Sequence, residues 1–177
     1  MTLEEMEAHF RAHSPTLPDK LRAASLRRHG PWGGHHEPFA VHWGLSCACG
    51  HDRFNLWAWE DASQDRPASV GPASLRCTEC RTETVVFDPH VSGFAAVACD
   101  MATTISGSSA PGFVSRSHAQ DEQGRRVVIV LHYPDDLFHP DFTEYRDRVS
   151  DLFTWFHLLT YDIDPKDAEI ILNLECA

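Results

Sequence analysis

Four cysteines in two close pairs constrain this chain more than any other feature: Cys47-Ala48-Cys49 and, beyond residues 50–76, Cys77-Thr78-Glu79-Cys80. A spacer of one or two residues lets both sulfurs of a pair face one point without backbone strain. Gly50 follows the first pair, where the chain has to turn closely. Four thiolates drawn together form a tetrahedral set of soft donors, the set that Zn²⁺ prefers. All four coordination positions are then filled by protein, and a catalytic zinc needs one left open for water. The expected site is therefore one structural Zn²⁺ held by Cys47, Cys49, Cys77 and Cys80. A redox use of Cys77-x-x-Cys80 would call for a following helix that lowers a thiol pKa. The β-branched run Thr82–Phe87 follows instead. The other two of the six cysteines, Cys99 and Cys176, read as inert thiols.

The segments around the pairs alternate with a period of two. Phe39, Val41, Trp43 and Leu45 are apolar at every second position, which marks a strand entering the first pair. Phe54–Trp59 reads as a strand leaving it, so the two form an expected hairpin with metal ligands at its turn. Residues 61–73 read as an exposed loop, Ser74–Arg76 leads into the second pair, and Thr82–Phe87 leaves it as a strand. Cysteine pairs at hairpin tips resemble zinc-ribbon and zinc-knuckle proteins in general, over roughly 50 residues of this chain. The first pair departs from their common C-x-x-C by having one spacer residue. The resemblance implies a metal and a pair of hairpins; it implies no activity.

Elsewhere the periodicity suggests helices. Thr2-x-x-Glu5 makes a capping box for a short helix ending near His13, and a second helix is expected from about Pro18 to Arg28, stopped by Gly30-Pro31-Trp32-Gly33-Gly34. Asp141 and Glu144 form another capping box, followed by an apolar stripe at Phe142, Tyr145, Val149, Leu152, Phe153, Phe156 and Leu159 that predicts a core-facing helix over 141–159. The alternative splits this region and makes Leu152–Tyr161 a strand. Arg126–Tyr133 is the best buried strand, residues 103–124 read as a long irregular loop, Phe94–Val97 as a short strand, and Ile170, Leu172 and Leu174 alternate as a final strand. The expected fold class is α+β: an antiparallel sheet carries the four-cysteine, zinc-ribbon-like site, and the N-terminal helices and the helix near 141–159 pack on it. Residues 1–34 would be a helical arm and 35–177 the zinc-stapled domain.

Other chemistry is thinner. His42 and His51 flank the first pair and read as surface histidines, though either could replace a cysteine as ligand or hydrogen-bond behind one. His35-His36-Glu37 lacks the H-E-x-x-H spacing of a metalloprotease. Asp88, His90, Asp100, His118 and His132 are the residue types of a metal hydrolase, with nothing in the sequence to make them converge. No phosphate-binding or nucleophile-elbow motif is present. Trp57 and Trp59 share one side of their strand and read as core, because the stripe at 142–159 needs a partner, with an exposed interaction platform as the alternative.

A net charge of −11 argues against a protein whose main task is holding nucleic acid, because phosphate neutralisation dominates that affinity. Residues 117–177 carry thirteen acidic against five Arg or Lys side chains. The reading is a non-catalytic zinc protein that binds a basic protein partner through an acidic surface. A hydrolase using the Asp/His set is one alternative. A nucleic-acid-binding zinc ribbon using Arg53, Arg76 and Arg81 is the other. With neither a basic, apolar N-terminal leader nor an 18-residue apolar run, the expected setting is the cytoplasm, with no membrane span.

Overall fold

The computed structural model describes residues 8, 12, 17, 19–28, 40–61, 69–88, 92, 113–118, 122–133 and 146–175. Nine strands form one sheet: β1 (Leu21–Arg28), β2 (Ala40–Cys47), β3 (Arg53–Asp61), β4 (Ser69–Cys77), β5 (Glu83–Phe87), β6 (Phe113–His118), β7 (Arg125–His132), β8 (Trp155–Tyr161) and β9 (Glu169–Glu175). Every pairing is antiparallel.

β7 is the central strand, and its sequence explains why. The run Val127–Leu131 is apolar on both faces and buried throughout, as a strand flanked on both edges and covered on both faces must be. One edge pairs with β8 over nearly its whole length, from Arg126 opposite Tyr161 to His132 opposite Trp155. The other edge carries two strands end to end. Ala40–Gly44 of β2 lie opposite His132–Val128, and Arg53 and Phe54 of β3 lie opposite Arg126 and Arg125.

β2 and β3 therefore run collinearly, and the residues between them loop out of a single strand line. They do not pair with each other as the expected hairpin would. β6 and β7 repeat this device: β6 pairs with β3 from Leu56 opposite His118 to Asp61 opposite Phe113, and β7 takes up the same edge at Phe54. β4 covers the other edge of β3, and β4–β5 is a true hairpin with the second cysteine pair at its tip.

Alternate residues of the strands fill the main core: Val41, Trp43 and Leu45 from β2, Phe54, Leu56 and Ala58 from β3, Ala73 and Leu75 from β4, Ile129 and Leu131 from β7, Phe156 and Leu158 from β8, Leu172 and Leu174 from β9. Phe87 at the end of β5 stacks on Phe156, ring centroids 4.6 Å apart, so the sheet curls until strands from distant parts of it meet. Cys47 and Cys77 end the core rows of β2 and β4. The core thus delivers one thiol from each pair to the same place.

The α+β expectation is corrected. Among the described elements there is no α-helix, only 3₁₀ turns at Arg146–Asp151 and Pro165–Asp167; Ala8 and Ala12 are helical residues whose neighbours lie outside the described set. Leu21–Arg28, rich in good helix formers, is a strand because it pairs with β2 from Leu21 opposite Cys47 to Arg28 opposite Val41, with a bulge between Ala23 and Ser25.

The expected helix over 141–159 is, where described, a 3₁₀ turn and a strand. Val149, Leu152, Phe153 and Phe156 are all buried, so the helix-like spacing was real, but a tight turn running into a strand buries the same residues. The fully buried Tyr133 hydroxyl donates to the Ser150 carbonyl at 2.7 Å and Thr154 N–H to the His132 carbonyl at 2.8 Å, which fixes that turn on the end of β7. Phe113–His118, read as loop, is β6. The last segment is the expected strand, and the Asp164 carboxylate caps the turn before it by accepting from Lys166 N–H. The Phe94–Val97 strand and the helix ending near His13 lie outside the described residues, apart from Ala8 and Ala12.

Gly124, immediately before β7, has φ +63°. A Cβ there would sit 2.5 Å from Thr78 Cγ2 and 2.9 Å from the Phe54 carbonyl oxygen. Backbone cannot yield as a flexible side chain can, and the left-handed conformation itself costs an L-residue about 1–2 kcal/mol. Gly124→Ala is expected to lower the stability measured by urea unfolding by about 2 kcal/mol or more, with a loss below about 0.5 kcal/mol contradicting this packing.

Candidate metal centre

The two cysteine pairs fold into closely related knuckles. In the first, Cys47 N–H donates to the His51 carbonyl at 2.7 Å and Gly50 N–H donates back to the Cys47 carbonyl at 2.8 Å. In the second, Cys77 N–H donates to the Thr82 carbonyl at 3.0 Å and Arg81 N–H donates back to the Cys77 carbonyl at 3.1 Å. In both, the residue after the last cysteine has positive φ: Gly50 at 92° and Arg81 at 61°. The single spacer of Cys47-x-Cys49 therefore shortens the turn without changing how it closes. The sequence signal for this turn was Gly50. Arg81 carried none, since a non-glycine residue rarely adopts that conformation.

The knuckles face each other. Cys47 Sγ lies 3.5 Å from Cys80 Sγ, and Cys49 Sγ lies 3.7 Å from Cys77 Sγ. All four sulfurs fall within 4.8 Å of one another. A tetrahedron with metal–sulfur bonds of about 2.3 Å has edges of about 3.8 Å, so the four thiols already stand close to the spacing that Zn²⁺ imposes. The donor set fits a thiophilic ion, and no oxygen or nitrogen ligand intrudes on it among the described residues.

Cys47 and Cys77 are buried, whereas Cys49 and Cys80 are exposed. Burial pushes the Cys47 thiol up and the Cys77 thiol up to about 12. Cys80 is pulled down to about 6 by hydrogen bonds from the Thr82 hydroxyl and backbone N–H. Without a cation the inner pair holds its protons; a bound cation supplies the positive charge that lets them leave.

A hydrogen-bonded frame supports the knuckles. His51 Nε2 and Thr78 Oγ1 are 2.9 Å apart, joining one knuckle to the other, and Thr78 Oγ1 donates to the Arg53 carbonyl at 3.2 Å. Ala48 N–H donates to the Lys20 carbonyl and Thr78 N–H to the Arg53 carbonyl. Arg53 reaches the Gly124 carbonyl at 2.9 Å and the Asp162 carboxylate at 2.7 Å, while Arg126 pairs with Asp52 at 2.8 Å and reaches the Asp162 carbonyl at 3.0 Å. These ion pairs are largely exposed and individually weak. Their geometric effect is to tie the first knuckle to the turn between β8 and β9.

Of the other candidates, His51 lies behind the centre and is not one of its converging ligands. His42 is buried on β2 opposite Val130 and is not part of the sulfur cluster. The Asp/His set does not form a group among the described residues. His132 packs on His157, with Nε2 and Nδ1 3.4 Å apart, and burial lowers both rings, His157 to about 4 with help from the neighbouring His132. The Asp88 carbonyl accepts from Ser92 N–H in a local turn. His118 is placed on β6, and His90, Asp100, His35, His36 and Glu37 lie outside the described residues, as do Cys99 and Cys176. Trp57 alternates with the core row of Phe54, Leu56 and Ala58 and is half-buried, so it is not part of that core. Thr78, Thr82 and Asp162 were missed, and Arg53 was read only as a nucleic-acid contact, because their roles depend on contacts across the sheet, for which local spacing has no signal.

Comparison with known protein families, with curated proteins and with solved structures finds no match to this chain.

Zinc binding should be coupled to proton release. Cys47 and Cys77 each give up a proton, while Cys80 is already a thiolate above about pH 6. Acid therefore favours the protonated, metal-free form. Between about pH 7 and 8 the logarithm of zinc affinity, measured by competition with a chromogenic chelator, is expected to rise by at least about two and fewer than about four per pH unit, and to steepen below about pH 6. An affinity independent of pH would contradict thiolate ligation.

Proposed function

We propose that this protein is a non-catalytic binding protein whose sheet is clipped by one structural Zn²⁺ at Cys47, Cys49, Cys77 and Cys80, and that it engages a basic protein partner through its acidic surface. The observation that carries the reading is the convergence of four sulfurs within 4.8 Å, which fills a tetrahedral ion with protein ligands and leaves no position for substrate or water. A reducing compartment such as the cytoplasm is the setting in which four thiols stay available to a metal.

The acidic surface is best defined at the turn between β8 and β9. Asp162, Asp164, Asp167 and Glu169 lie there, with Lys166 among them and the exposed Ile163 and Ile170 on the same segment. The nucleic-acid reading is less well supported. Arg53 and Arg126 are committed to Asp162 and Asp52, and Arg76 stands opposite Glu83 in the β4–β5 register. For the hydrolase reading, the members of the Asp/His set among the described residues form no cluster, and His132 packs on His157.

The test is a titration of the zinc-loaded protein with a fluorescent lysine-rich peptide and, separately, with a single-stranded DNA oligonucleotide. Peptide binding should weaken with salt and fall at least about fivefold in an Asp164→Lys/Asp167→Lys variant, with no DNA binding at about 0.1 M salt. Salt-dependent DNA binding that Arg76→Ala and Arg81→Ala abolish would overturn the reading in favour of a nucleic-acid ligand.

A further inference from the structure

We propose that the four-cysteine centre is an oxidation-sensitive clip: on reaction with a hydroperoxide it exchanges its metal for two disulfides that join the same two knuckles, Cys47–Cys80 and Cys49–Cys77. This rests on the structural-zinc reading above and adds to it a chemistry and a pairing.

The pairing comes from the geometry. Pairing within knuckles would need a bond across Cys47-Ala48-Cys49, whose single spacer lies in a turn already fixed by reciprocal hydrogen bonds between Cys47 and the Gly50–His51 segment. The two cross-knuckle contacts are 3.5 Å for Cys47–Cys80 and 3.7 Å for Cys49–Cys77, and each closes by a further approach of the two sulfurs to about 2 Å. Each contact also joins one buried and one exposed cysteine. The outer sulfurs, Cys49 and Cys80, are open to a small oxidant, and each has an inner partner waiting behind it. Buried cysteines alone would be protected, and exposed ones without a neighbour would go on to higher oxidation states.

The steps balance. An outer thiolate attacks one oxygen of the hydroperoxide, breaking the O–O bond, to give a sulfenic acid and a released hydroxide (from hydrogen peroxide). The inner thiolate of the same pair then attacks that sulfenic sulfur, forming the S–S bond and expelling a second hydroxide. Both pairs together consume two hydrogen peroxide and four protons, yield two disulfides and four waters, and free one Zn²⁺. A dithiol reverses the change by thiol–disulfide exchange. Cys47–Cys80 spans 33 positions in the sequence and Cys49–Cys77 spans 28, so the oxidised chain stays clipped at the place where the metal held it.

The experiment uses the full chain. Zinc content is measured first, then hydrogen peroxide is added stepwise with a chromogenic chelator reporting released zinc, and the product is digested without reduction and mapped by mass spectrometry. The expected result is one zinc released per two peroxides, crosslinks at Cys47–Cys80 and Cys49–Cys77, and recovery of zinc binding after dithiothreitol. In Cys80→Ser only the Cys49–Cys77 crosslink should form. Zinc present but retained at excess peroxide, or crosslinks within knuckles, or sulfinic acids at Cys49 and Cys80, would overturn this proposal and leave the structural zinc standing. Protein purified without zinc and unable to take it up would overturn both.

Discussion

The structure depends on two loops of chain being held face to face. Each knuckle is a short turn closed by two backbone hydrogen bonds. What brings them together is the core behind them. Cys47 and Cys77 complete buried rows on β2 and β4, so packing of Leu45, Phe54 and Leu75 places the inner thiols, and the outer thiols follow from the turns. A cation between them would convert that placement into a crosslink between distant parts of the sequence.

The arrangement also explains an oddity of the topology. β2 and β3 lie end to end along one edge of β7, and β6 and β7 lie end to end along one edge of β3. At the point where these two lines exchange partners, the first knuckle stands on one line and Gly124 on the other. Gly124 packs on Thr78 of the second knuckle, and Arg53 binds the Gly124 carbonyl. The exchange point, both knuckles and the β8–β9 turn thus share one set of contacts.

The cysteine module was legible because its chemistry is local: spacers of one and two residues, a glycine after the first pair and strand patterns beside the first pair and after the second, although the reading of residues 61–73 as an exposed loop missed the first half of β4, where Ala73 is fully buried. β2, β3, β5 and β7 could be read from that alternation or from their β-branched content. β9 was legible by its alternating isoleucine and leucines. The failures have specific physical causes. Leu21–Arg28 has helix-forming residues, and only its pairing with β2 makes it a strand. Val149, Leu152, Phe153 and Phe156 satisfy a helical spacing while lying on a 3₁₀ turn, the link after it and a strand. β6 has no continuous apolar pattern, and its place is set by the edge of β3 that it covers. The β2–β3 hairpin was inferred from closeness in sequence, whereas the two strands follow one another along the same edge of β7. The links from His51 to Thr78 and from Arg53 to Asp162 join residues too far apart in the chain for any local pattern to show them.

The most direct test of this account is elemental analysis of protein purified without added metal, joined to thermal unfolding before and after chelation. The account requires one zinc per chain, protection of Cys47, Cys49, Cys77 and Cys80 from alkylation while it is bound, and a clear fall in Tm when it is removed. Metal-free protein with all four thiols freely alkylated, and a Tm unmoved by added zinc, would contradict it.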